Sequence, residues 1–422
     1  MLALRLARGA HPLVLLRRLA VAAASAGTGF LLLCALGYAL GHPQAAGSSA
    51  LRLAWCVVPL AATVHFAVAV ARTDPATRPR AALFTVGLGP ARLMLLSAIS
   101  TAIACTLGSM VALLFFLHLR GDISGLPLDG AAAELLGAGQ PLPIAAVCTL
   151  LLIVPVAGTV AGALALRPRT VKSGARKGSS GRSGTSGTSG TSGTSGNASA
   201  ENAEAAVGPG VADGEPAPPL PQPAGLPWGV ALMAVGLAVE TYAARDAAGA
   251  SGFPLPGRLA SSSAAVLGGW AVTAFGLALA GPALTYLCGQ LLQSARPGAA
   301  RLLAGRALQE ESRRIGRPLG VLCAVASAGL AALHLYGGAA PRIGPLTVLG
   351  GSLVAGCAVL TLATAAIEAR QSRSDTTAAL LKLGAPASML RGAAGLRALA
   401  LLAVFGPLTW LVGTLAAAPL TG

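Results

Sequence analysis

The residues of this sequence that could do chemistry are few, and most of them sit inside long apolar runs. His65 lies midway in one run, His334 late in another, and Glu240 toward the end of a third, with Arg245 five residues on. Ionisable groups at membrane depth are costly, which makes each a candidate for function. His65 has two readings, a neutral imidazole bonded across helices or a step on a proton or substrate path. Glu240 and His334 read as hydrated groups near an interface. No Ser/His/Asp set or pair of carboxylates can be assembled, because the His residues are scattered and acidic residues are nearly absent from the runs. There is no G-x-x-x-x-G-K-[ST] loop to cradle a nucleotide. The seven cysteines (Cys34, Cys56, Cys105, Cys148, Cys288, Cys323 and Cys357) form no C-x-x-C pair and have no His at ligand spacing, so they read as small packing residues. The expectation is a chain that is not an enzyme and holds neither cofactor nor metal.

The elements that carry these residues are set by composition. The 422 residues are 54% hydrophobic and 10% charged, with a mean hydropathy of +0.71, which largely excludes a soluble globular protein. Apolar windows predict nine helices, near residues 19–40, 51–71, 93–118, 143–166, 227–245, 262–290, 318–337, 345–367 and 394–418. Each is long enough for a hydrocarbon core of about 30 Å. In lipid the backbone must satisfy its own hydrogen bonds, so the crossings are helical, and the Ala, Gly and Leu content suits close packing. The first run is too long for the apolar core of a signal peptide and reads as a crossing. The fold class is therefore all-α, a polytopic helical membrane protein.

Charge sets the expected orientation. With the N-terminus in the cytoplasm, 25 of the 30 basic residues fall on the inner side, and Arg52, Arg120, Arg245, Arg258 and Arg342 on the outer. That split follows the positive-inside rule. The net charge of +16 thus expresses topology and attraction to membrane lipid rather than binding of nucleic acid. Residues 167–226 begin basic, pass through Ser-Gly-Thr repeats from Ser183 to Gly196 and end Pro-rich, a composition that predicts a disordered cytoplasmic tether.

The two halves repeat. Arg5-Leu6 and Arg17-Arg18 recur as Arg301-Leu302 and Arg313-Arg314 at an offset of 296, and Ala81, Ala82, Leu83 and Gly87 recur as Ala378, Ala379, Leu380 and Gly384 at an offset of 297. Both units begin on the same side and lie six crossings apart, so they are expected to be parallel, related by an axis along the membrane normal. Between the second and third helix of each unit lies a short amphipathic segment. In the first, Asp74 caps, Ala81, Leu83, Phe84 and Leu88 are apolar, and Gly89-Pro90 turns the chain back toward the membrane. In the second, Ser374 or Asp375 caps, Leu380, Leu381 and Leu383 are apolar, and Gly384 with Pro386 makes the turn. Such a segment either lies in the headgroup layer or forms a knob for a groove on a soluble partner.

Val86-Gly87-Leu88-Gly89-Pro90 and Leu383-Gly384-Ala385-Pro386, with the lead-in Arg301–Arg314, resemble the FtsX-like permease family, the membrane subunits of ABC transporters that include ten-helix bacitracin-export permeases. The resemblance implies a first unit over 1–166, the tether over 167–226, two central helices over 227–292 and a second unit over 293–422 with the tenth helix absent. It implies ATPase coupling through Leu83, Phe84, Gly87, Leu88, Pro90, Leu380, Leu381, Leu383, Gly384 and Pro386. The partner it implies is a separate ABC ATPase dimer, working on this chain at the cytoplasmic membrane to move a lipid or peptide substrate. A catalytically silent scaffold or sensor component is the rival reading.

Overall fold

A computed structural model describes residues 12–73, 90–123, 130–134, 136–167, 225–246, 253–254, 261–262, 264–294, 298–336 and 344–421. Of the tether expected over 167–226, residues 168–224 lie outside these ranges, and its last two residues open a helix. The helices are α1 (Pro12–Gly41), α2 (Ala46–Trp55), α3 (Val57–Thr73), α4 (Pro90–Arg120), α5 (Ile144–Leu166), α6 (Gly225–Asp246), α7 (Ala264–Ser294), α8 (Ala299–Tyr336), α9 (Pro345–Ser372), α10 (Ser374–Lys382) and α11 (Ala387–Thr421). A two-residue antiparallel ladder, β1 (Phe253–Pro254) with β2 (Ser261–Ser262), joins α6 to α7. Among the described residues nine helical stretches are long and apolar enough to cross a membrane, with α2 and α3 together forming the second. The protein is all-α and polytopic.

The helices overrun the apolar windows where the windows meet charge. α1 starts at Pro12 rather than near 19, so Arg17 and Arg18 are helical. The lead-in from Arg301 to Arg314 and the seventh crossing form one 38-residue helix, α8, which runs through Pro318. Charges end a hydropathy window but not an i to i−4 hydrogen-bond ladder. A proline removes one donor, and a neighbouring helix supports the chain there. Gly316 lies so close to Pro282 of α7 that an added Cβ would meet its Cα at 2.5 Å.

α1 and α8 are hubs. α1 packs on α3 and most extensively on α4, and α8 packs on α9 and extensively on α11. The hydroxyl of Ser25 on α1 donates to the Cys105 carbonyl of α4 at 2.8 Å, and that of Ser327 on α8 donates to the Thr409 carbonyl of α11 at 3.1 Å. The paired residues are 80 and 82 apart in the chain. Each third helix carries a glycine beside its serine, Gly108 near Ser25 and Gly413 near Ser327. α3 and α9, the second helices, pack on each other, with Thr63 Oγ1 and Cys357 Sγ 4.0 Å apart at positions 294 residues distant. This contact joins the second helix of one set directly to the second helix of the other. Thr28 and Thr63 share a hydrogen bond at 2.8 Å in the same seam.

The middle helices pack differently. α6, α7 and α8 approach through glycines: Gly229 against Ala280, Gly236 against Thr273, Gly276 against Met233, and Gly281 against Gly316 and Gly320. Small residues let helix backbones come into contact, which drives association in lipid where hydrophobic burial offers nothing extra.

Candidate functional site

The described half of the expected coupling surface is the corner made by α9, α10 and α11. α9 ends and α10 begins within one residue, Arg373, whose backbone stays helical at φ −100° and ψ −1°. The N-cap position falls on Arg373, one residue before the expected Ser374, and the Arg373 side chain makes no cap hydrogen bond; Ser374 Oγ donates back to the Gln371 carbonyl at 2.7 Å, and Thr376 Oγ1 donates to the Arg373 carbonyl at 3.0 Å. With a near-continuous helix there are few free amides for a cap to satisfy.

The other end agrees with the sequence. Gly384 adopts φ +89°, a left-handed conformation that costs glycine nothing. Its N–H donates to the Leu381 carbonyl at 3.1 Å, and the Ala385 N–H donates to the Leu380 carbonyl at 3.0 Å. These two bonds form a Schellman motif, and Pro386 follows as the residue that cannot continue the helix. The result is a nine-residue helix with both ends defined, whose main contact is with α9. Leu381 is 47% and Leu383 84% exposed, Leu380 is half-buried, and Gly384 and Pro386 are exposed.

In the first unit Leu83, Phe84, Gly87 and Leu88 lie outside the described residues. Pro90 is the first residue of α4, where proline's fixed φ and missing N–H are accommodated. The structure therefore brings together the second set and leaves the first undescribed.

Arg373 also reaches across to α8, where it forms an ion pair with Glu311. Neither residue stood out in the sequence. The available signal was an acidic pair, Glu310 and Glu311, inside an otherwise basic lead-in.

The intramembrane polar residues separate into three cases. His334 is exposed, and its Nδ1 lies 2.8 Å from the Leu330 carbonyl one turn back. His65 is exposed on the outward side of α3, and no hydrogen bond of its ring to another helix occurs among the described residues. Of its two readings, the imidazole bonded across helices finds no such bond among the described residues. Glu240 is not hydrated as expected but fully buried between α6 and α7. Its Oε1 accepts from Thr273 Oγ1 at 3.0 Å, its Oε2 has no hydrogen-bond partner among the described residues, and its stem fills the space above Gly269.

A further polar cluster caps one end of the first unit. Arg120, 4% exposed, closes α4 and donates to the carbonyls of Gly137 and Gln140 in the loop before α5. That loop sits on α1, where a Cβ at Gly37 would meet the Leu136 carbonyl at 2.9 Å. Beside it Tyr38 stacks on His42, and the Arg52 guanidinium lies 3.5 Å from the Tyr38 ring centroid. Six of the seven cysteines are buried and Cys148 is exposed; all are free thiols. Among the described residues no three His, Cys, Asp or Glu converge as metal ligands would.

No protein-family model, no curated protein and no solved structure matches this chain.

Proposed function

We propose that this chain is the membrane subunit of an ABC transporter of the FtsX-like kind, driven by an ATPase carried on a separate polypeptide. The observation that carries this reading is α10: a short helix with both ends defined, inserted between two membrane-crossing helices and presenting Leu381 and Leu383 outward. A protein that only anchors itself gains nothing from fixing such a knob at a Schellman turn. A protein that receives force needs a rigid, apolar surface for a partner's groove and a direct helical path from that surface into the membrane. α10 supplies the surface, and its near-continuity with α9 supplies the path. In this reading the N-terminus is cytoplasmic, the membrane is the cytoplasmic membrane, and Leu83, Phe84, Gly87, Leu88 and Pro90 form the equivalent knob of the first unit. The substrate is a lipid or a peptide.

Co-purification from the native membrane tests the reading. Wild-type protein is expected to retain an ABC ATPase, and Leu381→Glu with Leu383→Glu is expected to lose it while leaving the chain in the membrane. Retention that is unaltered by these charges would show that α10 serves another purpose, such as resting in the headgroup layer of a silent scaffold.

A further inference from the structure

The helices form two groups. α1 to α5 pack among themselves, as do α6, α7, α8 and α11, and the substantial contacts between the groups run through α9, which touches α1 and α3 on one side and α8 on the other. A displacement of α9 can therefore be passed to either group. On the first side its contact is centred on Thr63 and Cys357 within the bundle. On the α8 side, next to α10, stands the ion pair of Arg373 with Glu311.

The pair is well placed to carry load. Arg373 is the single residue between α9 and α10, so whatever turns α10 moves it first. The Glu311 side chain is 9% exposed and that of Arg373 25%, the pair is made through Glu311 Oε2, and the buried Oε1 has no hydrogen-bond partner among the described residues. A shielded charge that loses its counter-ion is strongly disfavoured, so the two residues resist separation more than a solvated surface pair does. α8 in turn holds α7 and α11 most extensively of all its neighbours.

We infer that Glu311 and Arg373 are positioning residues that tie α10 to α8, so that force received at α10 moves α8 and the helices packed on it rather than α9 alone. This inference rests on the docking reading above and adds the route by which docking becomes motion. With the pair cut, α10 still presents Leu381 and Leu383, but α9 turns without carrying α8.

The experiment uses the full chain in lipid nanodiscs and compares wild type with Glu311→Gln, Glu311→Arg, Arg373→Glu and the exchanged pair Glu311→Arg with Arg373→Glu. Amide exchange is read over Thr376–Leu383. Each single variant is expected to exchange about tenfold faster, and the exchanged pair to return to within about twofold of wild type, since contacting charges couple by that order. In the same variants a co-purified ATPase is expected to remain bound, while its stimulation by the chain is lost in the singles and regained in the exchanged pair. The inference is overturned if the exchanged pair is as fast as the singles, if the singles match wild type, or if the singles release the ATPase. Glu311→Gln preserves shape and keeps the test valid where Glu311→Arg fails to fold. Should wild-type protein retain no ATPase, the docking reading fails, and the exchange measurement still decides whether the pair anchors α10.

Discussion

The three helices α1, α3 and α4 and the three helices α8, α9 and α11 are held by the same device, a serine hydroxyl on the first helix bonded to a carbonyl of the third, yet they differ in what surrounds them. Around the first set α5 packs on all three members. Around the second set, among the described residues, no helix other than α8 packs extensively on both α9 and α11, and α8 is covered by α7 instead. The outward face of α4 carries mostly large apolar residues, including Leu95, Ile99, Ile103, Leu107 and Leu114. The outward face of α11 mixes Leu399, Leu402 and Trp410 with Gly395 and Gly406, beside which nothing lies within 4 Å. The comparison teaches that three helices in lipid can be held by one hub and a shared kind of hydrogen bond while their remaining faces differ.

The largest expected effect comes from the glycines, where the two sets are close in plan but not in clearance. A Cβ at Gly108 would meet the Ala22 carbonyl at 2.2 Å, whereas one at Gly413 would meet the Leu330 Cβ, a side-chain atom, at 2.9 Å. Gly108→Ala is therefore expected to destabilise the chain by about 1–3 kcal/mol through overpacking. Gly413→Ala is expected to cost less, since the overlap at 2.9 Å is shallower than the one at 2.2 Å. Thermal unfolding of the two variants in nanodiscs checks the order, and equal losses would mean that the sets do not differ in tightness.

Arg120 tests a feature described in the first set alone. Arg120→Ala leaves the Gly137 and Gln140 carbonyls without their donor and is expected to lose about 1–3 kcal/mol. Amide exchange over residues 136–140 should rise while that of α8 stays unchanged. Protection that persists in the loop would assign its order to packing on α1 instead.

The smallest effect sharpens the comparison most. Ser25→Ala and Ser327→Ala each remove one interhelical hydrogen bond, worth about 0.6 kcal/mol in a membrane. Similar losses, additive in the double variant, are expected of two equivalent and separate sites. A difference of more than about twofold would break the equivalence.

Much of this architecture is legible in the sequence, and the places where it is not have definite causes. The middle of every crossing is given by hydropathy, and the turn after α10 by Gly384 and Pro386, because both are local properties. The helix starts at Pro12 and Ala299 are missed because Arg17, Arg18 and Arg301–Arg314 lower the hydropathy without weakening the backbone ladder. Pro318 reads as a helix start and proves to be interior, since α7 supports the chain there. Glu240 reads as hydrated and is buried because Gly236 and Gly269 draw α6 and α7 together around it. Around α10, the exposed leucines could be anticipated, but not the ion pair of Arg373 with Glu311 on α8.

By itself the sequence determined how many apolar helices there are, where their centres lie and where the chain turns sharply, for these depend on neighbouring residues alone. Which helices touch was decided by tertiary structure. To a hydropathy scale every crossing helix presents the same oily cylinder, and the choice of neighbour rests on where a glycine, a serine or a single charge on one helix meets its complement on another, dozens to hundreds of residues away.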